Sequence, residues 1–429
     1  MQYTKQLSSL GRYEVAVLGG GPSGVCAAIA AARAGVRTIL VEKTGMLGGM
    51  ATSGLVGPFM TSYDRDGEFP VVRGLFEKII RRTADLGGAL MPADVPGTSR
   101  FSSWITPCHS HTAPFDSNML QCVLDDMVQE AGAEILLYSQ FVDSVVKDGR
   151  IMAAVLATPG GLCSLEADVF VDCTGNADVA AASGVPTWLG DEVTGVPQPA
   201  TLFYEVDQVE DERYTRYPTH KAYRMPYPGC YKINDKHVYS VDATDVRSMT
   251  AAHIKARQQA LESWTDMRVT MPGFEQARIT QLASVLGMRE SRHIKGKYML
   301  RADDIANNTW FPDAVMTFGY AMDVHSRDGS GEDGFCGDSA RWYTIPYRCM
   351  VPEGCDNLLI AGKTICAETQ AAGSFRVMPG CMALGEAAGT AAALACLEHC
   401  KPENAPVEKL QRILLQNGVI ILGHEGKMM

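Results

Sequence analysis

The chain has 429 residues, enough for two domains or for one domain carrying a large insertion. Apolar residues make up 46%, which supports a substantial core, and the formal charge is −11 with no long basic block. That balance argues against general nucleic-acid or anionic-membrane binding. The 13 cysteines are odd in number and lack a C-x-x-C pair, which argues against a complete disulfide framework, an iron–sulfur cluster or a structural zinc.

Residues 1–12 show neither an apolar signal core nor a cleavage site and read as a short disordered or edge segment. No run of about 18 apolar residues occurs, so no membrane span is expected. Scattered, mostly reduced cysteines point to a cytoplasmic protein.

The most informative stretch runs from Tyr13 to Glu42. Val15–Leu18 is a short apolar strand, followed by Gly19-x-Gly21-x-x-Gly24 and an alanine-rich helix that Gly35 ends. Val36–Val41 is a second strand, closed by Glu42 with Lys43 beside it. This is a βαβ unit for dinucleotide binding. Gly19 allows the tight turn, Gly21 lets backbone approach a pyrophosphate, and Gly24 lets helix and strand close up. Pro22 and Ser23 open the helix, whose free N–H groups face the phosphates. Glu42, about 20 residues past the motif, suits a ribose hydroxyl. The motif alone does not choose between FAD and NAD.

The loop after Glu42 carries Gly48, Gly49, Met50, Ala51 and Thr52 and is placed to follow the rim of a cofactor. Helices are predicted over Gly74–Leu86 and Asp116–Gly132, the latter capped by Asp116 or Ser117. Between them, Pro92, Pro96, Gly97 and Pro107 mark irregular chain. His109, His111 and Asp116 invite a metal reading, but no motif supports a specific geometry, so no metal is expected. Strands are predicted over Ala133–Tyr138, Phe141–Lys147, Ile151–Ala157 and Leu165–Val171, with a hairpin turn at Asp148-Gly149-Arg150. The bend Asp172–Asp178, with Thr174 and Gly175, then falls at the carboxyl end of a strand, where open α/β sheets bind ligands.

Residues 190–345 change character, with many tyrosines and prolines, and read as an inserted substrate domain. Leu202–Val206 is strand-like, Thr244–Trp264 is a predicted helix, and Phe274–Ala283 a second one. The aromatic and cationic segment Tyr214–Pro228 suits either a pocket cover or a surface loop. Arg289, Arg292 and His293 form the densest positive group of this region, suited to fixing an anionic or carbonyl substrate, or to structural ion pairs. If the segment is helical, Arg289 and Arg292 share a face. His325 in Met322-Asp323-Val324-His325 is a candidate for proton transfer or a satisfied core histidine. The α/β pattern returns at Leu358–Gly362. A long Ala/Gly-rich helix, Cys381–Leu397, follows Arg376, and Leu410–Leu415 starts the last helix.

These segments together resemble the FAD-dependent oxidoreductases of the glutathione-reductase-like superfamily, on the branch of the fumarate reductase flavoproteins. The likeness rests on Gly19, Gly21, Gly24 and Glu42, on Gly48–Thr52, on Asp172–Gly175, and on Arg289–Arg292 with Asp323–His325. Asn357–Gly362 and Ser374–Ala388 complete it.

The resemblance implies an α/β fold. A Rossmann-like FAD-binding domain would be built from 13–189 and 346–429, with a mixed α+β substrate domain, 190–345, inserted. It implies non-covalent FAD held by Gly19, Gly21, Pro22, Ser23, Gly24, Glu42, Lys43, Gly48, Gly49, Met50, Ala51, Thr52, Thr174, Gly175, Gly362 and Ala388. Arg289, Arg292, His325 and Arg376 are the expected catalytic residues. The expected activity is hydride transfer between flavin N5 and a small, anionic organic substrate, with an unidentified electron donor or acceptor. No redox C-x-x-x-x-C lies near the flavin segments and no second GxGxxG follows, unlike the disulfide reductases. RNA modification, hydroxylation and a non-enzymatic electron relay are the alternatives, and a homo-oligomer is left open.

Overall fold

A computed structural model of the chain describes residues 4–97, 99–102, 104, 109–215, 221–330, 334–335, 339–423 and 425–429. Pro107 and the stretch 216–220 of the aromatic segment lie outside the described residues, as do residues 1–3. Strand β1 (Ser8–Leu18), helix α1 (Pro22–Arg33) and strand β2 (Thr38–Val41) form the βαβ unit that the glycine spacing predicts. Helices α2 (Leu75–Asp85) and α3 (Ser117–Glu130) follow, and the Asp116 carboxylate caps α3 by accepting from the N–H groups of Asn118 and Met119. Strands β3 (Glu134–Leu136), β4 (Gln140–Lys147), β5 (Arg150–Thr158) and β6 (Gly161–Asp172) complete this half.

The sheet runs β3-β2-β1-β6-β5-β4, and the late strand Leu358–Ile360 pairs with the last residues of β6. The β3, β2, β1, β6 and late-strand pairings are parallel, while β4 and β5 add an antiparallel edge. This is a mixed α/β fold with a parallel core, and its strands are buried on both faces, which is why they read as unbroken apolar runs. The carboxyl ends of β1, β2, β6 and the late strand all point to one side.

The helix Met378–Leu397 packs on α1. A Cβ at Gly385 would fall 2.0 Å from the Ser23 carbonyl oxygen, and one at Gly389 would fall 2.0 Å from that of Ala27. The small residues of this helix therefore serve a close helix crossing. By length and composition the helix is long and apolar enough to cross a membrane, but 89% of its most apolar window is buried inside the protein.

Within that helix, Glu386 is buried and accepts the Leu75 N–H at the start of α2, 2.8 Å away. Burial pushes its carboxyl up to about 7 from an ordinary 4.5. The folded state thus holds the proton across that interval while the unfolded chain has lost it, so this group lowers stability as pH rises from 4.5 through 7. Glu386→Gln keeps an acceptor for Leu75. It should raise the melting temperature at pH 8, by an amount equivalent to on the order of 3 kcal/mol, and change little at pH 4.5. An equal shift at both pH values in scanning calorimetry would reject that account.

The inserted region carries a four-stranded antiparallel sheet, ordered Ala222–Arg224, Tyr231–Ile233, Tyr204–Asp207, Arg278–Leu282, and the long helix Val246–Thr270. It has its own aromatic core of Tyr204, Tyr214, Tyr231 and Phe274. The main core also takes up Ile294, Leu300, Ile305, Phe318 and Tyr343. These residues of the 190–345 segment thus pack with the α/β part of the protein.

Two expectations change. Ser8–Arg12 is not disordered but extends β1 and pairs with β6, where Arg12 also meets Asp168 at 2.6 Å. Phe274–Ala283 is not a helix. Arg278–Leu282 is a strand because Tyr204–Asp207 offers an edge with which Arg278, Ile279, Gln281 and Leu282 pair, Thr280 falling at a bulge.

Candidate functional site

A cavity of about 730 Å³ opens where the strand ends meet the inserted region. Its near end is built by the glycine motif. Gly19 has φ +104° and a Cβ there would lie 2.4 Å from the Cys173 carbonyl oxygen, so this glycine is required by both conformation and close approach. A Cβ on Gly24 would lie 1.8 Å from the Gly19 carbonyl oxygen. Gly24 does not line the cavity; it lets α1 close on the strand. Gly21 differs from both: a Cβ there meets nothing within 4 Å, and the residue lines the cavity beside Pro22 and Ser23 at the helix entrance. The motif thus leaves an open cradle in front of a helix N-terminus, which is what a pyrophosphate needs.

Glu42 and Lys43 line the same end. The Glu42 carboxylate accepts the N–H groups of Gly20 and Thr44, each at 2.8 Å. It braces the glycine turn and still presents lone pairs to a ribose hydroxyl. Across the cavity, Asp172 is buried and ties the bend after β6 by accepting from the Thr174 N–H, the Thr174 hydroxyl and the Ala180 N–H. Burial pushes its carboxyl up to about 6 despite those bonds. Thr174, Gly175 and Gly362 line the cavity, as do Gly49 and Met50.

The far end is charged. Arg376 donates to the Asp323 carbonyl at 2.8 Å and to its carboxylate at 3.1 Å. His325 Nε2 lies 3.3 Å from the other Asp323 oxygen. Burial alone would push the Asp323 carboxyl up, but His325, Arg376 and Arg289 outweigh it and hold the group well below the usual carboxylate range. Burial, then Arg289, pushes His325 down, so the imidazole is neutral near pH 7. Arg289 donates to the Pro199 carbonyl at 2.8 Å and approaches His237 Nε2 at 3.3 Å. Lys363 donates to the Met288 carbonyl at 2.5 Å, and burial brings its ammonium down to about 8. Arg289, Asp323, His325, Lys363 and Arg376 all line the cavity, giving three formal positive charges against one negative.

A family model, FAD dependent oxidoreductase, matches residues 14–414. The chain belongs to that family. The protein is therefore an FAD-dependent oxidoreductase, and the glycine cradle and helix entrance fit the FAD pyrophosphate. Over 47 residues the flavoenzyme is 51% identical to mitochondrial dihydrolipoyl dehydrogenase of Schizosaccharomyces pombe, a match spanning only 11% of this chain and 9% of that protein. Its fold is similar to p-nitrophenol 4-monooxygenase PnpA of Pseudomonas putida DLL-E4, at 12% identity and a TM-score of 0.52, covering 95% of this chain and 87% of that one. A geranylgeranyl bacteriochlorophyll reductase-like protein of Thermoplasma acidophilum is also similar, at 12% identity and a TM-score of 0.46, over 94% and 83% of the two chains.

Several expected site residues of the flavoenzyme take other roles. Arg289 and Arg292 do not share a helical face, because short strands, Gly287–Met288 and Arg292–Ile294, flank the segment. Arg289 lines the cavity, whereas Arg292 donates to Asp178 at 2.8 Å and to the Asn176 carbonyl at 3.1 Å. The motif around them is a seam. Ser291 donates to the Gly175 carbonyl, and buried Glu290 bonds His293, Thr369 and the Gln198 N–H. Gln198 in turn accepts the backbone N–H of His325 at 3.1 Å, which fixes the main chain that carries the proton-transfer candidate. Arg292→Ala should cost about 1 kcal/mol or less, as for a part-exposed pair, and leave the rate of flavin reduction unchanged in stopped-flow traces. A slowed flavin reduction in the folded variant would return Arg292 to the site.

Ala388 is fully buried within the helix Met378–Leu397 and does not line the cavity. Gly48, Ala51 and Thr52 shape the loop from behind. Gly48 has φ +100°, the Thr52 hydroxyl donates to the Leu47 carbonyl, and the Ala51 carbonyl accepts from Ser117. His109 lines the cavity and bonds the Tyr320 hydroxyl at 2.9 Å, with burial lowering it to about 4. His111 instead stacks on Tyr63 with centroids 4.1 Å apart. Among the described residues, no group of three His, Cys, Asp or Glu side chains is placed to hold a metal ion.

Sequence reasoning missed Lys363 as a cavity residue, and it named His109 and Asp323 without giving either a catalytic or cofactor-binding role. Lys363 did leave a signal, since it directly follows Gly362 at the end of the late strand. Asp323 stands in the Asp323–His325 motif that carries the family likeness, and His109 stood beside His111 with nothing in the sequence to separate the two.

Proposed function

We propose that the flavoenzyme belongs to the glutathione-reductase-like superfamily, on its fumarate-reductase-flavoprotein-like branch, and exchanges a hydride with a small anionic organic substrate. One observation carries the reading: Arg289, Arg376 and Lys363 converge with the Asp323–His325 pair at one end of the cavity. Bound FAD supplies the hydride acceptor or donor. The arginine guanidinium groups of the chain suit a carboxylate, which they bind in a planar fork. Neutral His325 is suited to take or return the substrate proton, with Asp323 holding the ring. Phe203 and Leu286 from the inserted region line the cavity and give it apolar wall.

The cofactor is held without a covalent bond in this reading, so acid precipitation leaves the yellow colour in the supernatant. A reducing, cytoplasmic setting suits the described cysteines, which are free thiols. The deciding experiment mixes the oxidised holoenzyme without oxygen against a panel of small carboxylic acids and follows bleaching near 450 nm. Bleaching by a carboxylate supports the proposal. Bleaching by NAD(P)H alone, with oxygen uptake and hydroxylated product on adding an aromatic compound, replaces it with a hydroxylase reading.

A further inference from the structure

Lys232 is a lysine in the core of the inserted sheet, with its side chain 2% exposed. Its ammonium lies 3.2 Å from the Glu205 carboxylate on the neighbouring strand and 4.5 Å from the centre of the Phe115 ring. It also donates to the Ser117 hydroxyl at 2.7 Å, and that hydroxyl donates onward to the Ala51 carbonyl at 2.8 Å. Ser117 is the first residue of α3, and Ala51 sits in the loop whose neighbours Gly49, Met50 and Ser53 line the cavity. The aliphatic stem touches the same loop again. A Cβ at Gly57 would lie 2.8 Å from the Lys232 Cδ, so the chain there is pressed flat against the lysine. One side chain of the insertion therefore grips the cofactor loop at two points.

A buried charge is costly to keep, and an apolar pair of similar volume is often as stable or more so. The stability of the inserted sheet does not call for this lysine. Its fork of contacts into the other region does.

We propose that Lys232 is a positioning residue for the cofactor, holding the Gly48–Gly57 loop against FAD through Ser117 and Ala51 so that the inserted region and the flavin site are set together. The proposal requires only that the protein binds FAD, and it stands whether the reaction is hydride exchange or hydroxylation.

The test uses the full chain with three changes: Ser117→Ala, the pair Lys232→Met with Glu205→Leu, and all of them combined. The pair avoids leaving an unpartnered carboxylate in the core. FAD affinity is measured by fluorescence titration of apoprotein, alongside the visible spectrum of bound flavin and the apoprotein melting temperature. Ser117→Ala and the pair should each weaken FAD about tenfold or more, the size of one hydrogen bond to a charged group, and shift the flavin absorption bands. The combination should be no weaker than the worse of the two, because both changes cut one path. Unchanged FAD affinity and flavin spectrum with a lowered melting temperature would reduce Lys232 to a tie between regions. Effects that multiply in the combination would also overturn the proposal. Should the Lys232 pair fail to fold, Ser117→Ala decides alone, since it removes one hydroxyl and leaves the ion pair intact.

Discussion

Gly21→Val weakens FAD binding about fivefold or more and leaves the apoprotein folded. The backbone at Gly21 has φ −70° and ψ −173°, an extended conformation open to any residue. Its added Cβ meets no protein atom within 4 Å. The substitution is therefore tolerated by the apoprotein, and its whole cost falls on the pyrophosphate that would share the cradle. Overpacking costs about 1–3 kcal/mol, hence about a 5- to 150-fold loss of affinity. Gly24→Val is the matched control. Its Cβ would sit 1.8 Å from the Gly19 carbonyl oxygen, so it lowers the melting temperature of the apoprotein directly. FAD titration and thermal melting on both variants separate the two costs. Equal FAD affinity for Gly21→Val and the parent protein would remove the pyrophosphate from this turn.

The second large effect belongs to Arg376. Arg376→Ala should retain FAD and slow anaerobic flavin reduction by the substrate about 10²–10³-fold, the loss typical of one preorganised donor in a dry site. It should also move the pH profile. Burial and Arg289 lower His325 most, and Arg376 adds to them. Removing that cation raises the imidazole pKa, so the acid limb of the rate profile shifts to higher pH. His325→Gln should slow the reaction and abolish the limb. A folded Arg376→Ala variant that reduces its flavin at the parent rate, with the limb unmoved, would take both residues out of the mechanism.

The contrast between Arg376 and Arg292 shows why charged residues resist assignment from sequence. Both lie beside glycine- or serine-rich segments, and both have carboxylate partners in the fold. Arg376 and its partner Asp323 both line the cavity, whereas of the other pair Asp178 lines it and Arg292 does not. The partners are 53 and 114 residues away in the chain, so no local pattern distinguishes the two cases.

Local physics was enough for the nucleotide end of this protein. The turn at Gly19, the open face of Gly21, the closure at Gly24 and the acid at Glu42 are consequences of short-range backbone geometry, and the βαβ unit formed where the spacing predicts. Strand–helix alternation likewise determined the parallel sheet, and the apolar run Leu358–Ile360 returned to it from far along the chain. The inserted region was less legible, because a strand such as Arg278–Leu282 exists only through the edge it pairs with. At the charged end of the cavity the sequence named Arg289, His325 and Arg376, and tertiary structure decided which side chains meet. Lys363 follows the late strand, Arg289 comes from a seam between regions, and Asp323, His325 and Arg376 come from segments that meet only in the folded protein. Their charges matter through mutual distance and exclusion of water, and neither quantity is written in the order of residues.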